Sequence, residues 1–472
     1  MKKIALPQLI PQNICLKCDI CCRFSEEFSH WAPYILKEEI ADFSSEKIFP
    51  FFIKSYGINL NLKKEKDLFI CPFFDLSHHR CSLYPLRPFD CQLYPFVLFY
   101  NQTYTGVVLG IDLQCPYLRE IEREYLLNFA LKLKEILEET STLEMIYQNP
   151  GIIMSPHPNF QPLILWDKLN KIIFGKNLGL KIISLEDREI FKQFFMKKNI
   201  TFSYAFEYLY AWKDIAYLLW KIIDKELLVF WKQKDDFFLL LSPGDALSLP
   251  VLSFIKNFLG KEIIIKNIGE EYLNFFKKNN WELKSEGQEY IYECEKIATL
   301  EGKDLKSRRW QSNYFYKHCL PRVRELKNED IAECLELYVN WAEEKRRKNR
   351  PPYYFMLIED NFFAQRRLLI DYVKLNLAGI VIEVEGKIVG YSFGYPLNEE
   401  EFCIFSEITN LKFKGITPYI FQEFCRKLKN YKFINAMDDA GLENLRRIKC
   451  AYAPLRIRRL YSAKYIQGEG FC

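Results

Sequence analysis

The sequence predicts a mixed fold class, α+β / α/β, with a small cysteine-rich domain over residues 1–150 followed by two α/β units over 163–315 and 316–472. Three observations predict this. Of 15 cysteines, eight fall between Cys15 and Cys115, while Cys294, Cys319, Cys334, Cys403, Cys425, Cys450 and Cys472 scatter over the rest. Beyond residue 163, strand and helix signals alternate in the manner of an α/β region. That pattern then repeats, with a junction near 305–320.

Length and composition set the frame. With 472 residues, 49% of them hydrophobic, the chain buries ample apolar surface and needs no covalent staples to fold. The start, MKKIALPQLIPQNIC, has prolines inside its apolar stretch and no small-residue cleavage site, so a cytoplasmic, reducing compartment is expected. There, clustered thiols read as metal ligands or redox groups rather than disulfides. The apolar stretches AYLLWKIIDKELLVFW and YPFVLFYNQTYTGVVLGI are broken by polar residues short of the roughly 18–20 a membrane helix needs, so no transmembrane segment is expected.

The elements follow in order. The cysteine-rich core runs over 12–118, and REIEREYLLNFALKLKEILEET (119–140) has helical apolar spacing with a charged face. QNPGIIMSPHPNFQP (148–162) reads as a proline-marked linker, which sets the domain boundary. In the first α/β unit Ser184, with Asp187 three residues on, is a helix N-cap, and DFFLLLSP and GKEIIIKNI are strands. In the second, ELKNEDIAECLELYVNWAEEKRR holds a helix and GIVIEVEGKIVGYSFGYPL a hairpin turning at Glu385-Gly386. EEFCIFSEITNL is a further strand, PYIFQEFCRKLKN a helix and KFINAMD a last strand. Two similar halves fit this pattern better than one large sheet.

Cys15-x2-Cys18-x2-Cys21-Cys22 places four thiols within eight residues, so one turn can aim several at a point. Thiolates suit zinc, at a Zn–S distance of about 2.3 Å, or iron-sulfur clusters, and each such centre takes about four ligands. Cys71, Cys81 and Cys91 follow at even spacing and Cys115 completes eight thiols, enough for one or two centres. The bland alternative is free buried thiols acting as small hydrophobes. His78 and His79, inside the 71–81 loop, could substitute as ligands or be exposed loop histidines.

These residues resemble a known family. C-x2-C-x2-C-C, then C-P-F-F-x5-R-C-x-L-Y-P-L-R-P-x2-C-x-L-Y-P-F, is similar to the YkgJ-type cysteine-cluster family, zinc- or iron-chelating by description, over about residues 12–118. The resemblance implies Cys15, Cys18, Cys21, Cys22, Cys71, Cys81 and Cys91 as metal ligands, with Cys115 beside them, and a zinc or iron-sulfur cofactor. Arg87, in the family's Arg-Pro pair, could offset thiolate charge or be a plain surface arginine.

A second resemblance covers about 165–465. SYAFEYLYAWKD (203–214), KNEDIAECLELYVNW (327–341), FSEITNLKFKGITPYIFQEF (405–424) and INAMDDAGLENLRRIKCAYAPLRIRRLYSAKY (434–465) resemble the phosphatidylglycerol lysyltransferase C-terminal domain family. The resemblance implies two tandem GNAT-like (N-acyltransferase-like) units. It implies transfer of an aminoacyl or acyl group to an amine or hydroxyl, with aminoacyl-tRNA as a donor among relatives. Such chemistry needs a base, an oxyanion stabiliser and cations for the donor's phosphates. Glu407 and Asp439 are the carboxylates expected near the acceptor, or else buried structural groups at a hydrogen bond or helix N-terminus. Arg446 and Lys449, three apart on one helix face, could meet a phosphate or oxyanion, and Asn435 could orient these groups. The turn after the central strand, KFKGITPYI, has Gly415 alone where coenzyme A-binding acetyltransferases are glycine-rich, which disfavours that donor.

A net charge of +5 does not announce nucleic-acid binding, so any RNA contact falls to local clusters: Lys345, Arg346, Arg347, Lys348 and Arg350, or Arg456, Arg458 and Arg459. Solvated helix faces explain either cluster as well. Two functional readings stand side by side. One is an acyltransferase whose metal domain recognises substrate or stabilises the fold. The other is a redox or metal-carrier protein whose acyltransferase-like region only binds a partner.

Overall fold

The near-continuous apolar runs on either side of residue 103 form the first sheet of the computed structural model, which describes residues 5–43, 52–175, 179–195, 201–233, 236–241, 248–259, 262–347 and 351–466. Strand β1 (Phe96–Tyr100) pairs antiparallel with β2 (Val107–Asp112), and β2 with β3 (Phe160–Leu165). Every residue of β1 and β2 is buried, which is why these strands read as apolar runs rather than as alternation. Helix α1 (Arg123–Leu137) buries Leu126, Ala130, Leu133 and Leu137, the stripe expected from its spacing. This sheet and helix belong to one compact unit, residues up to Ile182 with Lys213–Leu219; a second comprises Ile183–Trp212 and the chain from Trp220 on.

The prolines of 148–162 do not release the chain as a linker would. Pro150–Ile152 is a short 3-10 turn, Asn149 is fully buried with its side-chain amide donating to the Met145 carbonyl, and β3 begins at Phe160. Proline here stops one helix and turns the chain without leaving the core of the first unit.

In the second unit, β4 (Glu226–Gln233) and β5 (Asp236–Leu241) form a hairpin, and helix α2 (Leu249–Leu259) crosses to β6 (Glu262–Gly269), parallel to β5. Strand β7 (Glu282–Glu293) ends this half. Helices α3 (Cys294–Thr299) and α4 (Lys306–Cys319) span the junction expected near 305–320. The second half runs β8 (Arg322–Glu325), α5 (Ile331–Arg346), α6 (Pro352–Ile370), β9 (Ala378–Val384), β10 (Lys387–Pro396), β11 (Glu401–Thr409), α7 (Ile416–Lys427), β12 (Phe433–Asn435), α8 (Glu443–Cys450) and β13 (Arg456–Ile466). The hairpin turns at Glu385 and Gly386, both with positive φ (52° and 77°), the two-residue geometry such a turn demands. The Ser184–Asp187 capping box is formed as its spacing predicts.

From β4 on, the sheet order β4-β5-β6-β13-β7-β12-β11-β10-β9-β8 departs from two separate halves. Strand β13 pairs with β6 and β7, and β7 pairs with β12, so the last strand of each half is inserted into the other. Each half alone would expose the edges where these strands sit; the exchange covers both and makes one continuous sheet.

A bulge gives the second half its working surface. Ser392 faces Glu407 and Gly394 faces Ile404, so Phe405 is the extra residue on β11. A Cβ on Gly394 would lie 1.9 Å from the Cys403 carbonyl oxygen, which is why this position takes glycine. Upstream of the bulge, Phe402 and Ile404 pack with Tyr290, Tyr292 and Ile434 against α7; downstream, Glu407 turns toward that same face.

Candidate functional site

Two sites lie in the two units. In the first, local pairing gathers the cysteines. Arg23 pairs with Ile70, so that the Cys71 amide donates to the Cys22 carbonyl at 2.9 Å. The Phe74–Cys81 bridge folds the next thiol back, and Pro88 caps the helix Phe89–Leu93 that carries Cys91. Cys15, Cys18, Cys21, Cys22, Cys71, Cys81 and Cys91 all line one cavity of about 300 Å³. Cys115 is buried just outside the lining, close enough to feel the charge of Cys21.

Burial pushes Cys15, Cys71, Cys81, Cys91 and Cys115 up, Cys71 to about 12 and Cys115 to about 11. Cys21 runs the other way, held down first by a hydrogen bond from Cys22 and then by Arg87. Arg87 lines the cavity, stacks 3.9 Å from the Tyr84 ring centroid, donates to the Tyr84 carbonyl and opposes the rise of Cys15 and Cys81, so it offsets thiolate charge. His78 and His79 are exposed and face Asp75 and Asp19 instead. The buried Tyr94 hydroxyl and Asp112 face each other on the cavity wall. This donor set fits a thiophilic ion or cluster. As placed, no three His, Cys, Asp or Glu groups among the described residues converge to hold an ion, so the thiols ring a space rather than meet at a point.

In the second unit, the parallel strands β11 and β12 pair only as far as Cys403 and Asn435, and separate beyond. Glu407 and the loop 436–442 lie past that point of separation, at the carboxyl ends of parallel strands, where α/β sheets place ligands. Burial raises Glu407 to about 8, and the nearby Lys449 ammonium pulls it back. Lys449 is itself lowered to about 8 by burial, against the pull of Asp438, Asp439, Cys403 and Glu407. Its ammonium donates to the carbonyls of Ala436, at 2.5 Å, and Asp438, latching the loop. It sits 5.6 Å from the Tyr290 ring centroid.

Asp439, 1% exposed, accepts hydrogen bonds from the Tyr290 hydroxyl (2.6 Å), Arg446 Nε (3.2 Å) and the Gly441 amide (3.0 Å). These bonds hold its carboxyl below the usual value despite burial. Arg446 is half exposed and leans over this carboxylate. Glu407, Lys449, Asp439 and Arg446 are therefore brought to one end of the sheet. Asn435 is not among them. Cross-strand pairing with Ile291 puts it on the opposite face, where its amide donates to Glu289 (2.8 Å) and Glu401 (2.9 Å).

Arg458 joins that buried group, donating to Glu289 at 2.9 Å, and burial still raises Glu289 to about 7. The RNA expectation for the 456–459 cluster is accordingly reduced: Arg458 is spent on an internal ion pair and Arg456 contacts Glu401 at 3.4 Å, leaving Arg459 exposed. In the other cluster Arg346 lies 3.6 Å from Glu359 and Lys345 over Trp341, while Lys348 and Arg350 lie outside the described residues. The residues that sequence reasoning missed are Tyr290, Gln288, Asp438 and Tyr452. Tyr290 reaches Asp439 across 149 residues of chain, and no local spacing could signal it.

Comparison with known proteins finds a family match for each of two regions of the chain. Residues 14–116 match a family described as a zinc- or iron-chelating domain, and residues 198–464 match the family described as phosphatidylglycerol lysyltransferase, C-terminal. An uncharacterized protein of Mycoplasmoides gallisepticum is 26% identical over 181 residues, 38% of this chain and 56% of that protein, so the chain spans little more than half of that curated relative. A conserved protein of unknown function from Bacteroides thetaiotaomicron has a similar fold, with a TM-score of 0.56 and 24% identity over 61% of this chain and 99% of its own. The L-PGS structure from Bacillus licheniformis superposes with a TM-score of 0.46 at 17% identity, over 61% of this chain and 94% of its own. No helix among the described residues is long and apolar enough to cross a membrane. With more than half of its length matched, the chain belongs to the phosphatidylglycerol lysyltransferase C-terminal family.

Proposed function

We propose that the second unit transfers an aminoacyl group from aminoacyl-tRNA to an amine or hydroxyl acceptor, and that the cysteine cavity of the first unit binds zinc or an iron-sulfur cluster. The observation that carries the transfer reading is the bulge-directed Glu407 beside Lys449 and the Tyr290–Asp439–Arg446 chain, past the separation of β11 and β12. The Glu407 carboxylate takes the proton of the attacking amine or hydroxyl. A new C–N or C–O bond forms at the ester carbonyl, the ester C–O bond to the ribose breaks, and the ribose oxygen receives a proton. A base poised near neutrality suits this step, and the value of about 8 places Glu407 there. Arg446, half exposed, is available to the donor's phosphates, whereas Lys449 positions the loop. Asp439 keeps Tyr290 and Arg446 in place.

In the first unit, Cys15, Cys18, Cys21, Cys22, Cys71, Cys81 and Cys91 would hold the metal, with Cys115 behind them. A cation bound there supplies a fold-stabilising cross-link or, as an iron-sulfur cluster, an electron-transfer centre. Protein purified without oxygen and analysed for zinc, iron and acid-labile sulfide tests this part: bound metal lost on Cys21→Ser and Cys71→Ser supports it, and a metal-free native protein overturns it. Transfer of labelled amino acids from charged tRNA into a lipid and small-molecule extract tests the other part. Label that leaves tRNA no faster than by spontaneous hydrolysis rejects it.

A further inference from the structure

Beside the two basic clusters, α4 offers a candidate RNA contact. This helix carries Lys306, Arg308, Arg309 and Lys317 and no acidic residue, and none of the four cations has an acidic partner among the described residues. Its inward side is spent on the core through Ser312 and Phe315. Its outer side presents Trp310, Tyr314 and His318 at successive four-residue steps, about 6 Å apart along the axis. Trp310 is 56% exposed. The Trp310 and Tyr314 rings lie 5.6 Å apart at 31°, and Tyr314 and His318 are stacked at 4.0 Å. Lys414, from the turn before α7, sits 5.2 Å from the first ring and 5.1 Å from the second.

Rings in file at the surface, edged by cations without acidic partners among the described residues, suit a strand of unpaired bases: π-surface for stacking and positive charge for the phosphates. A lipid surface would instead call for a broad aliphatic face, and this helix buries its own. The surface also leads to the chemistry. Arg308 lies 4.9 Å from the Tyr452 ring centroid, and Tyr452 in turn feels the charge of Glu407.

We propose that α4 is the docking surface for single-stranded RNA, whose bases stack on the exposed ends of the Trp310–Tyr314–His318 file and whose end passes Arg308 toward Glu407. The proposal rests on the aminoacyl-tRNA reading for its direction, and on the surface itself for its existence. It is tested by fluorescence anisotropy of a short fluorescein-labelled single-stranded RNA with the full-length protein, over a salt series. Trp310→Ala and Tyr314→Ala should each weaken binding about tenfold. Lys306→Glu with Lys317→Glu should weaken it further and lower the salt slope by about two. Because these side chains are exposed or half-exposed, unchanged circular dichroism and melting would certify the fold.

Absence of RNA binding, equal binding by parent and ring variants, or ring-dependent binding to phosphatidylglycerol vesicles in place of RNA would each overturn the proposal. The two readings separate cleanly. Transfer from charged tRNA with an unchanged KM in Trp310→Ala and Tyr314→Ala would refute the surface and leave the transferase reading standing. Ring-dependent RNA binding without transfer from any charged tRNA would do the reverse.

Discussion

Glu407 and Lys449 sit in mutual view at the end of the sheet, and each is shifted toward neutrality by burial. For Glu407 the folded value of about 8 lies above its ordinary 4.5, so between these two pH values the native state binds more protons than the unfolded chain. Stability contributed by this group is present at low pH and lost as pH rises through about 8. Glu407→Gln should therefore melt higher than the parent at pH 8, with the gap closing toward the ordinary carboxyl value; a gap independent of pH would contradict the burial. Lys449 has the opposite sign, its folded value lying below its ordinary one, so its penalty lifts above about 8. At this scale the cysteines were legible because their spacing is local, and Glu407 and Asp439 were legible through motif resemblance. Tyr290 was not, because its partner arrives from a strand far along the chain, and Asn435 was misgrouped because face assignment needs the register of β7 against β12.

Among the elements, the exchanged strands bear the most consequence. Arg458 on β13 neutralises Glu289 on β7 and Glu401 on β11, all three buried, so one ion group ties the first half to the second. Arg458→Met should cost about 3–5 kcal/mol in urea unfolding, because it leaves two buried carboxylates uncompensated. Restoring part of that loss with Glu289→Gln in the same chain would confirm the cause, whereas additive losses would not. Deletion of residues from 456 on should abolish cooperative folding of both halves, since β6 and β7 would lose their shared neighbour; a folded first half after that deletion would contradict the exchange. Strand and helix identities were readable from periodicity and turn residues, as at Glu385-Gly386. The insertion of β13 between β6 and β7 was not, because strand pairing across 165 to 204 residues leaves no periodic trace, and the prolines of 148–162 mimicked a linker while turning inside a core.

For the whole molecule, two compact units with separate cores imply two thermal transitions. Chelation should lower the transition of the cysteine-bearing unit and leave the other within about a degree, because metal that binds only the folded state stabilises only the unit that holds it. A scan in which chelator moves both transitions equally would show that the metal supports the transferase unit too. The charge of the whole chain concealed the nucleic-acid reading, since +5 is spread over 472 residues while α4 concentrates four cations without an acid. Aminoacyl transfer at the end of the sheet around Glu407 is read from the rate of label transfer from charged tRNA by parent and Glu407→Gln protein at equal metal content. The account predicts transfer by the parent and a loss of about a hundredfold or more in the variant, the range expected on removing a general base. Equal rates in the two proteins, or no transfer by either, would contradict it.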